Sequence, residues 1–250
     1  MIESLAKNPL ALAGLVALSA ALGGGVVLGV QALAPAHVAD TDKARIGQVV
    51  RDYVLANPEI LPEAMKRLQE RETGQAVAGS RTAIVEPYAG AWEGNAKGDV
   101  TVAVYMDYAC GYCRASLPMI ARLVAEDANV RIVYRELPVL SEVSRTAARW
   151  GLAAAEQGKF KPFHTALYSG GQLSEASIAA AAASAGLDQA KAQAALTTPK
   201  VEAEITRNFD VARKLGASGT PFWVIGDRVI SGMVPYETLK DAVGAARKKG

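Results

Sequence analysis

Cys110-Gly111-Tyr112-Cys113 holds the only two cysteines of the chain, and it sits between two different residue patterns. Before it, Asp99 to Met106 (DVTVAVYM) is rich in β-branched and aromatic residues, as a buried strand is. After it, Leu117, Ile120, Leu123 and Val124 recur at helical spacing. Val130 to Tyr134 (VRIVY) then reads as a second strand, so the unit is strand, helix, strand. Parallel strands need a crossover of this length, and the pattern predicts a βαβ unit with the cysteine pair at its first turn.

That position dictates chemistry. At a helix N-terminus, unpaired backbone N–H groups and the positive end of the helix dipole stabilise a thiolate. Cys110 is then the attacking sulfur at neutral pH, since the thiolate is the nucleophile. Cys113, one turn on, closes a disulfide with it or resolves a mixed one. Gly111 and Tyr112 form the active-site loop between them, with Gly111 relaxing the turn. Two other readings compete: a static buried disulfide, and a two-thiolate clip for Cu(I), which no Met or His cluster accompanies.

Composition narrows the rest. Half of the 250 residues are apolar and 21% are charged, which supports a globular core rather than a disordered chain. The formal net charge is +2, without the basic stripe of a nucleic-acid binder, so no nucleic acid is expected as a partner. His37 and His164, the two histidines, are far in sequence from the cysteines, so the four clustered ligands of a zinc site are lacking. The expectation is no metal and no cofactor.

The compartment is read from the N-terminus. Leu10 to Ala34 is an uncharged run of 25 residues. As a helix it would span about 37 Å at ~1.5 Å per residue, against ~30 Å for a bilayer core. Residues 1–36 are therefore expected to be a retained membrane anchor, with a signal segment cleaved near Ala34-Pro35-Ala36 as the alternative. Lys7 and the terminal amine favour the short end on the cytoplasmic side. Either way the rest is exported to an oxidising compartment, the periplasm of a Gram-negative cell, where a lone C-x-x-C is a redox pair more readily than a metal clip.

Residues 37–80 are expected to be an N-terminal helical segment and linker. Ile46, Val49, Val50 and Tyr53 mark one apolar stripe, Asn57-Pro58 interrupts it, and Ile60, Leu61, Ala64, Met65 and Leu68 mark a second. These helices either cover the main domain or pair with another subunit, giving a homo-oligomer through residues 41–71. The small residues of 73–80 (TGQAVAGS) read as the linker. Residues 81–250 form the main α/β domain, with an alanine-rich helical block over about 142–215. Two strands, Phe222 to Ile225 and Arg228 to Ile230, then meet at Gly226-Asp227, and a closing helix runs from Pro235 to Arg247. Trp150, Trp223, Tyr236 and His164 are read as packing residues.

The strand–CxxC–helix unit resembles a thioredoxin fold. Pro118, five residues after Cys113, sits where that fold often kinks its active-site helix, and Gly219-Thr220-Pro221-Phe222 resembles its cis-proline loop. A helical block between the βαβ and ββα halves is similar to the DsbA family. YMDYACGYC, VRIVYRELPVL, GKFKPFHTALY and SGTPFWVIGDRVISG are family-like stretches, closest to ScsC-like members, over roughly residues 85–248. The resemblance implies a thiol-disulfide oxidoreductase. It sets Pro221 against the cysteines, with the backbone of Thr220 binding an extended substrate segment by β-augmentation. It also implies unfolded or reduced exported proteins as partners, and a membrane redox protein that reoxidises the pair. One position departs from the pattern: the buried carboxylate that many relatives carry six residues before the first cysteine is Val104 here. The proton acceptor for Cys113 is thus unassigned, and Asp107 reads as a turn or cap residue. The Gly111-Tyr112 spacer lacks the Pro-His of strong oxidases, so oxidase and isomerase or reductase directions stay level. A chaperone or Cu(I)-binding module is the alternative of another class.

Overall fold

The computed structural model describes residues 40–249. The chain divides between Glu63 and Ala64 into two units. The first contains α1 (Asp40–Ala56) and the start of α2 (Ile60–Ala78). Asn57 ends α1, its side-chain amide donating to the Tyr53 carbonyl at 2.8 Å. The apolar stripe of α1 is exposed along its length, Ile46, Val49, Val50 and Tyr53 all lying more than half in solvent.

The second unit carries the sheet. Thr73 to Ala78, expected as linker, continue α2 instead, and only Gly79 and Ser80 form a turn before the short α3 (Arg81–Val85). The reason is packing: Val77 is buried against the sheet with Ile84, so the small residues extend a helix that has somewhere to dock.

Five strands follow in the spatial order β1-β3-β2-β4-β5: β1 (Trp92–Gly94), β2 (Val100–Met106), β3 (Val130–Glu136), β4 (Phe222–Ile225) and β5 (Arg228–Ser231). The βαβ unit is as expected. β2 and β3 are parallel, joined through α4 (Gly111–Glu126), with Val104 opposite Tyr134. β4 runs antiparallel on the other side of β2, placing Trp223 beside Val104, and β4 and β5 form the hairpin, with Gly226 in the left-handed region at φ 59°. β1, a three-residue edge strand antiparallel to β3, is too short to show a periodic pattern.

The sheet is covered on both faces, and the side-chain alternation of β2 divides the core accordingly. Val102, Val104 and Met106 pack on the face of α4, α10 (Tyr236–Arg247) and the helical block. Ala103 and Tyr105 pack on the other, with Val77, Ile84 and Val211. The block itself is five helices: α5 (Glu142–Glu156), α6 (Phe160–Ser169), α7 (Glu175–Ser184), α8 (Gln189–Leu196) and α9 (Pro199–Lys214). Four of them start on an N-cap side chain, Ser141, Ser174, Asp188 and Thr198, each accepting a backbone N–H of the first turn. Among the described residues no helix is long and apolar enough to cross a membrane. The apolar run Leu10 to Ala34 lies outside them.

Candidate functional site

The strand-to-helix turn after β2 puts both sulfurs at one end of the sheet. Cys110 is the N-cap of α4, in extended conformation, and its carbonyl accepts the Arg114 N–H at 3.1 Å. Its thiol donates to the Thr220 carbonyl at 3.3 Å. Both cysteines are free thiols. Cys110 retains 8% exposure and Cys113 none, so the first cysteine is the one nearer to solvent. Burial pushes the Cys113 thiol up, while hydrogen bonds with the Asp107 backbone and the Thr220 side chain pull it the other way. A hydrogen bond with Cys110 adds to the rise. Cys113 therefore stays protonated until exchange alters its surroundings.

The Thr220–Pro221 peptide is cis, as the resemblance implied, and Thr220 touches both sulfurs. The Pro221 carbonyl takes the Gly232 N–H at 2.8 Å, which fixes the loop to the end of β5. Gly111 stands in open space, and Tyr112 projects with 66% exposure. Val139, Leu140 and Met233 are further exposed apolar side chains. Val139 and Leu140 lie on the loop tied to Asp107, and Met233 follows the residue bonded to Pro221. The cysteine pair is thus rimmed by apolar surface.

Asp107 is the turn residue the sequence suggested, and more. One carboxylate oxygen accepts Ala109 N–H at 2.8 Å; the other accepts Val139 and Leu140 N–H, each at 2.9 Å. Its carbonyl takes Cys110 N–H at 2.9 Å and the Tyr168 hydroxyl at 3.0 Å. Its carboxylate is committed to holding two loops together.

Sequence reasoning missed a buried carboxylate close by. Val104 is indeed enclosed in apolar surroundings, but Glu136, at the end of β3, is buried and bonded to the Tyr108 hydroxyl at 3.0 Å. Burial raises its carboxyl well above the usual range, and the Asp107 charge adds to the rise. The available signal was two adjacent charges, Arg135 and Glu136, directly after the apolar run Ile132-Val133-Tyr134. Arg135 faces the other side of the sheet, paired with Glu204 at 2.8 Å. His164, Trp223 and Tyr236 are buried, and Trp150 is partly buried against the same core.

A cysteine pair heading a helix beside a cis-proline loop, on a sheet of this order, defines a thioredoxin-fold redox protein. Residues 101–244 match the DSBA-like thioredoxin domain model, and residues 42–75 match the model of the copper resistance protein ScsC N-terminal domain. The first match spans more than half of the chain, which belongs to the DsbA-like thioredoxin family. Solved structures agree. A thioredoxin-like oxidoreductase from Silicibacter pomeroyi is 42% identical, with 67% of this chain and 98% of that one covered at a TM-score of 0.64. A linker-deletion mutant of Proteus mirabilis ScsC is 26% identical over 87% of this chain and 100% of its own, at 0.68. The thiol-disulfide exchange protein alpha-DsbA2 from Wolbachia pipientis is 26% identical over 71% and 97%, at 0.65. Among curated relatives, the Na(+)/H(+) antiporter NhaA 1 of Salinispora arenicola is 31% identical over 150 residues, 59% of this chain. The match covers only 23% of that relative's length.

Proposed function

We propose that this protein is an exported thiol-disulfide oxidoreductase that exchanges disulfides with folding proteins through Cys110 and Cys113. The observation that carries the reading is the Cys110 thiol, placed at the head of α4 and held on the Thr220 carbonyl, with Cys113 fully buried one turn on. In the oxidising direction a substrate thiolate attacks Cys110 of the Cys110–Cys113 disulfide. The bond between the two breaks, and Cys113 leaves as a thiolate and takes a proton. A second substrate thiolate then attacks the substrate sulfur of the mixed disulfide, which releases Cys110 and leaves the pair reduced. The apolar rim of Tyr112, Val139, Leu140 and Met233 suits unfolded chains, and the Thr220 backbone offers an extended segment its hydrogen bonds. Reoxidation is assigned to a redox protein of the membrane. The N-terminal apolar run supports a periplasmic site of action, with that segment as anchor or signal.

The experiment is Cys113→Ser. Mixed disulfides with exported proteins should accumulate through Cys110 and vanish in the further variant Cys110→Ser. Absence of adducts under trapping conditions, together with tight 1:1 Cu(I) binding, would replace the enzyme by a thiolate metal carrier.

The isomerase direction is the second reading. It is favoured by the exposed apolar stripes of α1 and α2, which suit a homo-oligomer whose subunits surround a shared cleft. Reduction potential and the refolding of scrambled ribonuclease separate the two directions.

A further inference from the structure

Behind the cysteine pair lies a buried polar cluster that disulfide exchange, as described above, leaves unused. The Tyr108 hydroxyl stands 3.0 Å from Glu136 Oε1 and 3.1 Å from His164 Nδ1. All three residues are buried, and His164 Nε2 has no hydrogen-bond partner. The cluster is closed by the backbone of α5: a Cβ at Gly151 would lie 2.9 Å from both Glu136 Oε1 and the Tyr108 hydroxyl.

The groups around Glu136 are few. Asp107 and Tyr108 face it from the β2–α4 turn, and Tyr168 and His164 belong to α6. Asn208 of α9 donates to its backbone carbonyl at 3.0 Å. Arg135, its neighbour in β3, is engaged by Glu204 instead. Among the described residues no ion pair reaches Glu136.

The cluster also borders the sulfurs. The Tyr168 ring is 4.9 Å from that of Tyr108. The Tyr168 hydroxyl shares the Asp107 carbonyl with Cys110 N–H, and charge on Cys113 is felt at Tyr168.

Donor and acceptor counting allows this ladder two settings. With Glu136 protonated on Oε1, that O–H donates to Tyr108, Tyr108 donates to His164 Nδ1, and the imidazole proton sits on Nε2. With Glu136 ionised, Tyr108 donates to the carboxylate, and His164 must donate from Nδ1 to Tyr108. A proton on Glu136 Oε1 and the tautomer of His164 therefore change together. Burial holds the imidazole neutral throughout, its pKa being lowered to about 3.

We propose that Glu136, Tyr108 and His164 form a two-setting relay, a ladder whose proton positions shift together without passing a proton to the sulfurs, in which the proton on Glu136 Oε1 lets Cys113 carry negative charge during disulfide exchange. The inference rests on the thiol-disulfide reading of the site. Negative charge on Glu136 and on Cys113 both act on Tyr168, so an ionised Glu136 and a Cys113 thiolate would be two like charges around one buried hydroxyl, each opposing the other. Glu136 is thus a positioning residue that acts through Tyr108 and Tyr168. The step it affects is resolution. The Cys113 thiol gives its proton to water, and the thiolate attacks Cys110 in the mixed disulfide. The Cys110–Cys113 bond forms, and the substrate sulfur leaves as a thiolate that takes a proton from water. The pair is oxidised by two electrons, the substrate disulfide is reduced by two, and the relay keeps its own proton.

The test follows Glu136→Gln in the full chain, with glutathione disulfide as the probe. The rate at which Cys113 resolves the glutathione adduct on Cys110 is measured from about pH 4 to about pH 10, the interval between free carboxyl and phenol values. Wild type and variant should agree at the acid end. At the alkaline end the variant should be faster by about tenfold or more, the ratio for sites coupled by one pKa unit. With only two histidines in the chain, nitrogen NMR of His164 gives a second readout. Its signals should move from the Nε2–H to the Nδ1–H tautomer as pH rises in wild type, and stay fixed in Glu136→Gln. Tyr108→Phe keeps the ring, cuts the ladder, and should also fix them, so the test survives poor folding of the first variant. Superimposable rate profiles, or a wild-type His164 tautomer that ignores pH, overturn the relay. A wild type that forms no glutathione adduct overturns the exchange reading, and the Cys113 part of the inference with it, while the tautomer measurement still decides the ladder.

Discussion

Asp107 shows how much of this site depends on single polar groups finding partners. Its carboxylate meets three backbone N–H donors, one on one oxygen and two on the other. Asparagine has the same shape but only one oxygen, so in either orientation its amide N–H₂ confronts a donor. Asp107→Asn should therefore cost about 1 kcal/mol, the low end of the penalty for an unpaired donor, because these donors are only partly buried. It should also loosen the turn that holds Cys110, slowing adduct formation with glutathione disulfide. Urea unfolding and adduct kinetics check the two parts, and an asparagine variant as stable as wild type would mean that water replaces those bonds. This residue was legible in the sequence as a turn former, whereas Glu136 was not. Local pattern gives a charged residue no address: Arg135 and Glu136 are neighbours in β3, yet alternation sends one to Glu204 of α9 and the other to Tyr108.

At the scale of elements, amphipathic pattern located the helices better than it located their partners. The stripe Ile46, Val49, Val50 and Tyr53 forms a helix face, as the spacing required, but that face is exposed. Leu61, Met65 and Leu68 on α2 are exposed too. Burying each such side chain contributes roughly 1.5–3 kcal/mol, so several of them together are enough to drive pairing with second copies of the chain. Light scattering on residues 37–250 should find an oligomer, and Val49→Asp with Met65→Asp should return it to monomer. A monomeric parent would reject this assignment. The same packing logic explains α2 running on to Ala78 through residues that look like a linker. Small residues are indifferent between helix and coil until a neighbour such as Ile84 makes burial of Val77 worthwhile.

For the whole molecule, the buried titratable groups shape stability against pH. His164 is neutral in the folded chain, with its pKa lowered from 6.5 to about 3 by burial. Below 6.5 the unfolded chain takes up a proton that the folded one refuses. Stability is therefore full above that value and falls as pH drops toward about 3, by up to ~1.4 kcal/mol per pH unit. Glu136 works in the opposite sense. Its raised carboxyl contributes fully below the ordinary carboxylate value, and the contribution is lost as pH rises through the folded value. In urea titrations the gap between wild type and His164→Phe should shrink as pH drops below 6.5, because the variant lacks the histidine share of the acid decline. A gap constant with pH would show that the imidazole titrates alike in the folded and unfolded chains, and would reject its burial as a neutral group.

The sequence by itself determined the βαβ unit, the cysteine pair at its turn, the helical insertion and the β4–β5 hairpin. Each of these depends on interactions between residues close along the chain: strand alternation, helical spacing, capping side chains and turn glycines. Only the tertiary structure decided what stands behind the sulfurs. Glu136, Tyr108 and His164 come from β3, the β2–α4 turn and α6, and meet only when the insertion folds back over the sheet. A buried polar cluster is tolerated for the hydrogen-bond partners around it, and those partners are remote in the chain.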